Sequence, residues 1–390
     1  MTRINKSAFN VREKFTELGR RFGLKGSELA AAETIQDARD LVSAGRKNLI
    51  INGAMQVWQR GTSLTGLSNG SNVFLADRWK YAEGGTMSAV VTMSQESDVP
   101  TGQGFGYSLK VSPTTADAAI DANENQVFVY QIEAQDLLQL GYGTSNAKVS
   151  TLSFWAKSSQ AGTATVWCLV PSGQSCALQY KIHQSGTWQK IILTVPANTL
   201  GTTPNSNASG MTLYWNMAAG TDFTGTGGND GFWGTQTNTG RAIGQTVNYL
   251  RTTSDYFQIT GIQLEVGKNA TEFEHRSYGE ELALCQRYYE RHTWESTGNQ
   301  YVGVGVNYQD GTLARFVFPF LTRKRVVDPV TTFSGTYNAY PPNETVSLSP
   351  AQGNDTSVRV NVTRTTSYNG GSGVLILGTA GSYTEVNAEL

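Results

Sequence analysis

The sequence has few charged residues and no long apolar run, and each shortage excludes a class of protein. Charged residues make up 16% of the 390 residues, and the formal net charge is −1. A nearly neutral chain has no general electrostatic attraction to nucleic acid or to an anionic membrane surface, so we expect neither as a partner. No stretch of eighteen apolar residues occurs, so we expect no membrane insertion.

Cysteine is also scarce, with three in the chain. The first residues, MTRINKSAFNVREKFTEL, are charged and amphipathic instead of basic and then apolar, which is unlike a secretory signal. We therefore expect the chain to fold in a reducing cytoplasm. Cys168 and Cys176 lie symmetrically about Pro171-Ser172-Gly173, so a hairpin would place them opposite each other. Two buried thiols are favoured over a disulfide because of the compartment.

What the sequence does contain is glycine, aromatic residues and polar turn-formers. It has 42 glycines and 10% aromatic residues, a composition typical of short strands joined by turns. The predicted fold class is therefore mainly β, with an N-terminal helical anchor, a jelly-roll β-sandwich and a C-terminal β-domain like that of a fibre or knob. The length suggests two or three units. We place them at residues 1–47, 48–276 and 277–390.

Residues 1–47 differ in pattern from the rest. Val11, Phe15, Leu18 and Phe22 recur at helical spacing and form one apolar stripe. A second helix is predicted from Ser27 to about residue 44. Short helices are marginal in water when isolated, so each stripe requires a partner surface. That surface belongs to another copy of the chain, to another protein, or to the chain's own β-module.

Residues 48–276 show the two-residue period of half-buried strands, which predicts a sandwich. Leu49 to Ile51 is predicted to open it. Apolar residues alternate with polar ones in three further runs: Leu152, Phe154 and Ala156; Val166, Cys168 and Val170; Ile191, Leu193 and Val195. The glycine-rich stretch 220–240 has no such period and is predicted to be a loop outside the core.

A strand that changes phase leads into a short helix at the end of this module. Phe257 and Ile259 alternate with polar residues, and Ile262 resumes the alternation one residue out of phase. A bulge at Gly261 accounts for the shift. Ser277 and Glu280 are spaced as a capping box. Leu282, Cys285 and Tyr289 are then predicted to lie on one helical face.

Residues 290–390 predict a second β-unit, in which valine alternates with glycine at Val302, Val304 and Val306. Phe316, Phe318 and Phe320 alternate in a second run, as do Val358, Val360 and Val362 in a third. Glycine on one face of a strand allows another backbone or side chain to approach closely. We predict such an approach between protomers along a fibre axis, and hence an oligomer.

The sequence shows no constellation of residues that would catalyse a reaction. The three histidines are scattered without metal-ligand spacing, so a zinc site is not predicted. Asp121 to Asn125 begins like a calcium loop, but Gln126 stands where that loop requires glycine, so a surface turn is favoured. No pair of carboxylates is marked by its surroundings for glycoside cleavage. We therefore expect no enzyme, no cofactor and no metal.

Several segments resemble proteins of bacteriophage virions. They are NLIINGAMQVWQRG, ADRWKY, TLSFWAKSS, GTWQKIIL, FQITGIQLEVG followed by FEHRSYGEELALCQRYYE, and the terminal NAEL. The resemblance is to tail-fibre and related virion proteins that carry a jelly roll like that of carbohydrate-binding modules. It implies a homotrimer assembled in the host cytoplasm and located in the virion. From the apolar stripe of Val11, Phe15, Leu18 and Phe22 and the excess of basic residues, we predict that residues 1–47 attach to other virion proteins at an acidic site.

Aromatic residues point to host surface glycan as the other partner. Tryptophan and tyrosine offer a flat apolar face to a pyranose, while amides and guanidinium groups satisfy its hydroxyls. We predict a glycan site at Phe232, Trp233, Tyr249 and Arg251. The alternative for Trp233 is that it only fastens its own loop, because large apolar residues mostly pack.

These observations predict a phage tail fibre or spike that is held by its N-terminus and binds host surface polysaccharide. Two alternatives remain. One is a capsid fibre or decoration protein that contacts only other virion proteins. The other is a depolymerase that cleaves the glycan it binds.

Overall fold

The structure, a computed structural model, describes residues 47–294 and 300–390. Within these ranges the chain is mainly β, as predicted. No helix in the described ranges is long and apolar enough to cross a membrane. Of residues 1–47, the structure describes Lys47. The predicted N-terminal helices and the stripe of Val11, Phe15, Leu18 and Phe22 lie outside the described residues.

Thirteen strands form two facing antiparallel sheets. The strands are Ser63–Leu67 (β1), Asn72–Phe74 (β2), Lys80–Gly84 (β3), Val90–Glu96 (β4), Ser108–Thr115 (β5), Asn125–Glu133 (β6), Ser150–Ser158 (β7), Gly162–Val170 (β8), Gln174–Ile182 (β9), Gln189–Val195 (β10), Ser209–Ala219 (β11), Gly234–Thr235 (β12) and Phe257–Val266 (β13). One sheet has the order β1-β4-β5-β13-β7-β10, and the other has the order β12-β9-β8-β11-β6-β3-β2. The two sheets form the predicted β-sandwich. Short 3-10 helices lie at Ala134–Leu140 and Asn238–Gly240.

The sandwich core lies between the two sheets. Phe154 of one sheet contacts Trp215 of the other with ring centroids 5.9 Å apart, and Phe128 and Phe257 meet in the same way at 6.3 Å. All nine apolar residues in the three alternating runs of β7, β8 and β10 are buried, as predicted. The prediction that Leu49 to Ile51 opens the sandwich as a strand is wrong. This segment is irregular, although the Leu49 amide donates to the Leu264 carbonyl at 2.9 Å.

The predicted bulge at Gly261 is confirmed. Strand β13 pairs with β7 on both sides of the glycine, and the register shifts between Thr260 and Gln263. Gly261 has φ +64°, and a Cβ there would lie 2.5 Å from the Phe105 ring. Both the backbone angle and the close ring require glycine at this position.

The two cysteines of the predicted hairpin are also placed as expected. Cys168 in β8 lies directly opposite Cys176 in β9. Both are free thiols buried in the core.

The helix Tyr278–Gln286 (α1) follows the sandwich and begins with the predicted capping box between Ser277 and Glu280. One residue of the predicted apolar face is misplaced. Tyr289 lies in the strand after α1, and Tyr288 is the tyrosine that packs with Cys285, Ile51 and Val57. Helical spacing placed Tyr289 on this face wrongly because the helix ends at Gln286 and a strand begins at Tyr289.

Nine strands follow α1: Tyr289–Trp294 (β14), Gln300–Asn307 (β15), Gly311–Pro319 (β16), Val330–Ser334 (β17), Tyr337–Tyr340 (β18), Glu344–Gly353 (β19), Ser357–Tyr368 (β20), Gly373–Gly378 (β21) and Ser382–Asn387 (β22). Strands β14, β22 and β17 form a small sheet, while the other six close into a barrel of order β15-β16-β20-β19-β18-β21. The buried core of this unit includes Phe316 and Phe318 together with Val358, Val360 and Val362.

The alternating valines and glycines of β15 have a different explanation from the one predicted. The glycines face the barrel interior, where a Cβ on Gly303 would lie 2.7 Å from the Phe316 ring and one on Gly305 would lie 2.4 Å from the Arg315 carbonyl oxygen. The close approach is therefore made within one chain, and its assignment to a neighbouring protomer is wrong. Val304 and Val306 point outward and are exposed.

Candidate functional site: an aromatic groove beside the junction of the two β-units

The predicted glycan cluster is not brought together as a binding surface. Trp233 is 7% exposed and Tyr249 is 1% exposed, so both belong to the sandwich core. Trp233 donates its indole N–H to the Pro196 carbonyl at 2.7 Å and meets Tyr142 edge to face. Tyr249 stacks on Phe257 at 5.1 Å between centroids. The prediction that these two residues present a face to sugar is wrong, because both rings are covered.

Phe232 and Arg251 are the exposed members of the predicted cluster. The Arg251 guanidinium lies 3.6 Å from the Asp255 carboxylate. The contacts of Trp233 agree with the alternative interpretation, in which its side chain only fastens the glycine-rich loop. Loop composition alone did not reveal this, because Tyr142 and Pro196 lie far away in the sequence.

The segments that carry the virion-protein resemblance converge mainly on one place, the junction between the sandwich and the C-terminal unit. Glu389, in the terminal NAEL, forms ion pairs with Arg60 and Arg78. Each guanidinium also lies 3.5 Å from the centre of a tyrosine ring, Arg60 on Tyr289 and Arg78 on Tyr288. The Glu389 carboxylate, Tyr288 and Tyr289 therefore surround two arginines of the sandwich.

The backbone of the C-terminus is held in the same place. Arg325 donates to the carbonyls of Ala388 at 2.8 Å and Glu389 at 3.0 Å, and to that of Asn207 in a sandwich loop at 2.8 Å. Leu390 packs against the apolar cluster around Cys285.

A third ion pair also joins the two units. Arg287, just after α1, binds the buried Glu133 at the end of β6 through two hydrogen bonds of 2.9 Å. Because the pair is bidentate, it fixes direction as well as distance.

A buried acid supports the junction from the sandwich. Asp77 accepts from Arg60 at 3.0 Å and from the Gln59 amide at 2.7 Å, and Gln59 also donates to the Tyr289 carbonyl at 2.8 Å. Burial, opposed by the charge of Arg60 and the Gln59 hydrogen bond, raises the pKa of Asp77 from 3.8 to about 6.

Helix α1 is fastened to the start of the sandwich by buried polar groups. Glu281 accepts from the Asn52 amide at 2.5 Å. Arg276, just before the helix, donates to the Ile50 carbonyl at 3.1 Å, to the Asn48 carbonyl at 2.5 Å and to the Glu274 carboxylate at 3.2 Å. These contacts fix the first turn of α1 against residues 48–52.

Beside this fixed turn lies an open groove of about 550 Å³. Three aromatic side chains line it: Trp58 from the segment before β1, Tyr107 from the residue just before β5, and Tyr278 from the first turn of α1. Three glutamines also line it, namely Gln56, Gln59 and Gln95, together with Gly106 and Arg276. Tyr107 and Tyr278 are exposed and Trp58 is half-buried.

The lining combines apolar ring faces with carboxamides, which is the chemistry that pyranose rings require from a protein. Sequence analysis missed this site because its residues come from four separate segments. Trp58 and Tyr278 do fall within the quoted motifs, but a motif does not show which side chains share a surface.

A larger groove of about 670 Å³ lies on the other side of α1, lined by Ala283, Leu284 and Thr322 among others. Its polar lining is mixed in charge, with Glu274 and Glu280 facing Arg287 and Arg323. Its ring content is limited to His275, so it does not match the chemistry of a sugar site.

Within residues 47–294 and 300–390, no three His, Cys, Asp or Glu residues are grouped so that they could hold a metal ion. The predicted turn at Asp121 is present, with the Asp121 amide donating to the Glu124 carboxylate at 2.8 Å.

No family model and no curated protein matches this chain. Among solved structures, it is similar to the enzymatically active domain of tailspike protein 4 of bacteriophage CBA120, at 16% identity and a TM-score of 0.28 over 52% of this chain. The match spans 21% of the tailspike chain, about a fifth of its length.

The chain is also similar to two carbohydrate-binding modules. One is the family 11 module of a cellulosomal cellulase of Clostridium thermocellum, at 15% identity and a TM-score of 0.27, over 52% of this chain and 99% of that one. The other is a family 61 module solved with β-1,4-galactotriose, at 12% identity and a TM-score of 0.26, over 57% and 100%. With TM-scores this low, the likenesses carry no argument about function.

Proposed function

We propose that this chain is a structural protein of a bacteriophage virion, a tail fibre or spike, that binds surface polysaccharide of a bacterial host. The virion assignment is supported by the sequence segments named above. Residues of four of these six segments meet around Glu389 and α1, where they hold the two β-units together. In this proposal, the segments that resemble virion proteins lie mainly where a jelly-roll module joins a fibre domain.

One observation carries the glycan part of the proposal, the groove of Trp58, Tyr107 and Tyr278. Its aromatic residues belong to backbone that the sheet and the capped helix hold in place, so little backbone ordering is needed when a ligand binds. A concave site that combines aromatic side chains with a few polar groups is the arrangement typical of pockets for small ligands.

The outer face of the barrel supports contact between copies of the chain, while the number three comes from the resemblance alone. Val304 is 71% exposed and Val317, on the neighbouring strand β16, is 62% exposed. Val304 pairs with Leu375, which pairs in turn with the exposed Tyr340. An apolar row across four adjacent strands is larger than scattered exposed residues produce, and such patches mark protein contacts. A second copy of the chain is the partner we assign to it.

Attachment to the particle is assigned to residues 1–47 from their sequence. The stripe of Val11, Phe15, Leu18 and Phe22 needs an apolar partner, and seven basic residues accompany it: Arg3, Lys6, Arg12, Lys14, Arg20, Arg21 and Lys25. An acidic virion protein fits both features. The molecule is then assembled in the host cytoplasm and located in the virion.

The proposed role is non-enzymatic. Cleavage of a glycoside requires two carboxyl groups roughly 5 to 10 Å apart at the sugar, and the groove is lined by no aspartate or glutamate. Incubation of host polysaccharide with purified protein should leave its viscosity unchanged. A fall in viscosity would favour the depolymerase instead.

Adsorption competition tests the proposed function. Purified protein added to host cells should bind them and should slow the adsorption of the phage in a dose-dependent manner. Protein that neither binds the cells nor competes, yet is found in purified particles, would favour the decoration protein.

A further inference from the structure

The three aromatic residues of the groove lie on backbone that the fold holds in place before any ligand binds. Trp58 donates its indole N–H to the Met55 carbonyl at 2.5 Å. The Tyr107 carbonyl accepts from the Thr260 hydroxyl at 2.7 Å. Tyr278 is the first residue of α1, directly after the capping box at Ser277. The three rings are therefore attached to backbone that the fold holds in place.

The three glutamines of the groove differ in their hydrogen bonding: the Gln59 side chain is bonded to other parts of the protein, and the side chains of Gln56 and Gln95 are available to a ligand. The Gln59 amide donates to Asp77 and to the Tyr289 carbonyl. The side-chain amides of Gln56 and Gln95 make no hydrogen bond to any other residue that the structure describes. Each amide offers donors and an acceptor to a ligand, which suits vicinal hydroxyls.

Charge is present at the groove but is already neutralised. Arg276 lines it, yet all three guanidinium nitrogens donate to protein oxygens, and the partners include the carboxylates of Glu274 and Glu281. Asp77, which accepts a hydrogen bond from Gln59, is fully buried. A ligand carboxylate or phosphate would lose water on entry without gaining an opposite charge.

We infer that the groove binds an uncharged pyranose of a polysaccharide, stacked on Tyr107 and Tyr278 and hydrogen-bonded by Gln56 and Gln95. The inference rests on the proposed function and narrows it to a ligand class and a site. Acidic polysaccharides, in which every repeat carries a uronate or phosphate at the bound sugar, are excluded from this groove.

The test uses a bacterial glycan array with neutral and acidic repeat units, probed with the full-length wild-type protein. Four variants are compared with it: Tyr107→Ala, Tyr278→Ala, Phe232→Ala and Leu200→Ala. Leu200 is 60% exposed and Tyr278 is 58% exposed, so Leu200→Ala removes an equally exposed apolar side chain outside the groove. Thermal unfolding of each variant shows that it is folded.

We expect the wild-type protein to bind neutral glycans and each tyrosine variant to bind them roughly tenfold more weakly or worse. Phe232→Ala and Leu200→Ala should bind as the wild type does. Binding of acidic glycans alone, retention by both tyrosine variants, or loss in Phe232→Ala would each overturn the inference while leaving host binding intact. A wild-type protein that binds no glycan and no host cell would instead overturn the proposed function.

Discussion

Glu389 and Arg78 form a buried ion pair although 311 residues separate them in the chain. Arg78 lies between β2 and β3 of the sandwich, and Glu389 follows β22, the last strand of the C-terminal unit. The pair therefore attaches the C-terminal unit to the sandwich.

Glu389→Gln should therefore destabilise the junction. The substitution leaves the buried Arg78 without its carboxylate partner, while Arg60 keeps Asp77. Removing one partner of a buried ion pair costs about 3–5 kcal/mol of unfolding free energy. Denaturant unfolding measures the loss. Asp355→Asn is the control, because its partner Arg323 is exposed and such pairs contribute less than about 1 kcal/mol. Equal losses in the two variants would contradict the role assigned to Glu389.

Asp77 predicts a pH dependence of stability. Its pKa is raised to about 6 in the folded protein, chiefly by burial, while Arg60 and Gln59 oppose the shift and Glu389 adds to it. The folded state binds this proton more tightly than the unfolded chain, so the contribution of Asp77 to stability falls as pH rises from about 4 to about 6.

Asp77→Asn removes this titration. The unfolding free energy of the variant minus that of the wild type should increase by roughly 2–4 kcal/mol over that interval and stay level above pH 7. Denaturant curves at several pH values measure it. A difference that is constant from pH 4 to pH 7 would show that burial does not raise the pKa of Asp77.

Gly305→Ala should destabilise the barrel. The new Cβ would lie 2.4 Å from the backbone oxygen of Arg315, which cannot move without disturbing the strand pairing. Overpacking of this kind costs about 1–3 kcal/mol. Gly373→Ala is the matched control in the partner strand β21, since its Cβ meets nothing within 4 Å. Thermal unfolding of both variants decides the question, and a more damaging Gly373→Ala would contradict the inward orientation of Gly305.

The apolar face of the barrel should control assembly. Val304→Asp combined with Val317→Asp places two charges on it, and charge is strongly disfavoured in a buried contact. Sedimentation should find the wild type as a trimer and this variant as a monomer with unchanged secondary structure. Leu200→Asp, at an exposed position on the sandwich, should remain trimeric. A monomeric wild type would rule out this face as an interface between copies.

Deletion of residues 1–45 should prevent incorporation into particles and leave glycan binding intact, because the attachment stripe lies in the deleted segment. The described sheets begin at Ser63, beyond the deletion. Immunoblots of purified particles from a phage that carries the deletion measure incorporation. Normal amounts of the shortened protein in particles would refute the attachment role.

The sequence predicted features that depend on neighbours within the same strand or turn. A phase shift at Gly261 predicted a bulge, and the spacing of Ser277 and Glu280 predicted a helix start. Both are local patterns, in which backbone geometry and side-chain period are set by a few adjacent residues. The mainly β class followed from composition, and the positions of several strands followed from alternation within single strands.

The candidate site could not be predicted in this way, because its members come together only in the fold. Trp233 lies in a stretch with the composition of a loop, but Tyr142 and Pro196 cover it from distant parts of the chain. Tyr107 and Tyr278 have no pattern that joins them until β5 and α1 are placed side by side. The glycines of β15 were recognised as a site of close approach, but the partner is Phe316 of the same barrel.

The most direct test of the whole account is electron microscopy of intact particles that carry a gold-labelled tag after Leu390. The proposal predicts the label at the free ends of tail-associated fibres, away from their point of attachment. Label on the head, label at the fibre base, or particles without any label would contradict a fibre that is held by its N-terminus and presents its β-units to the host.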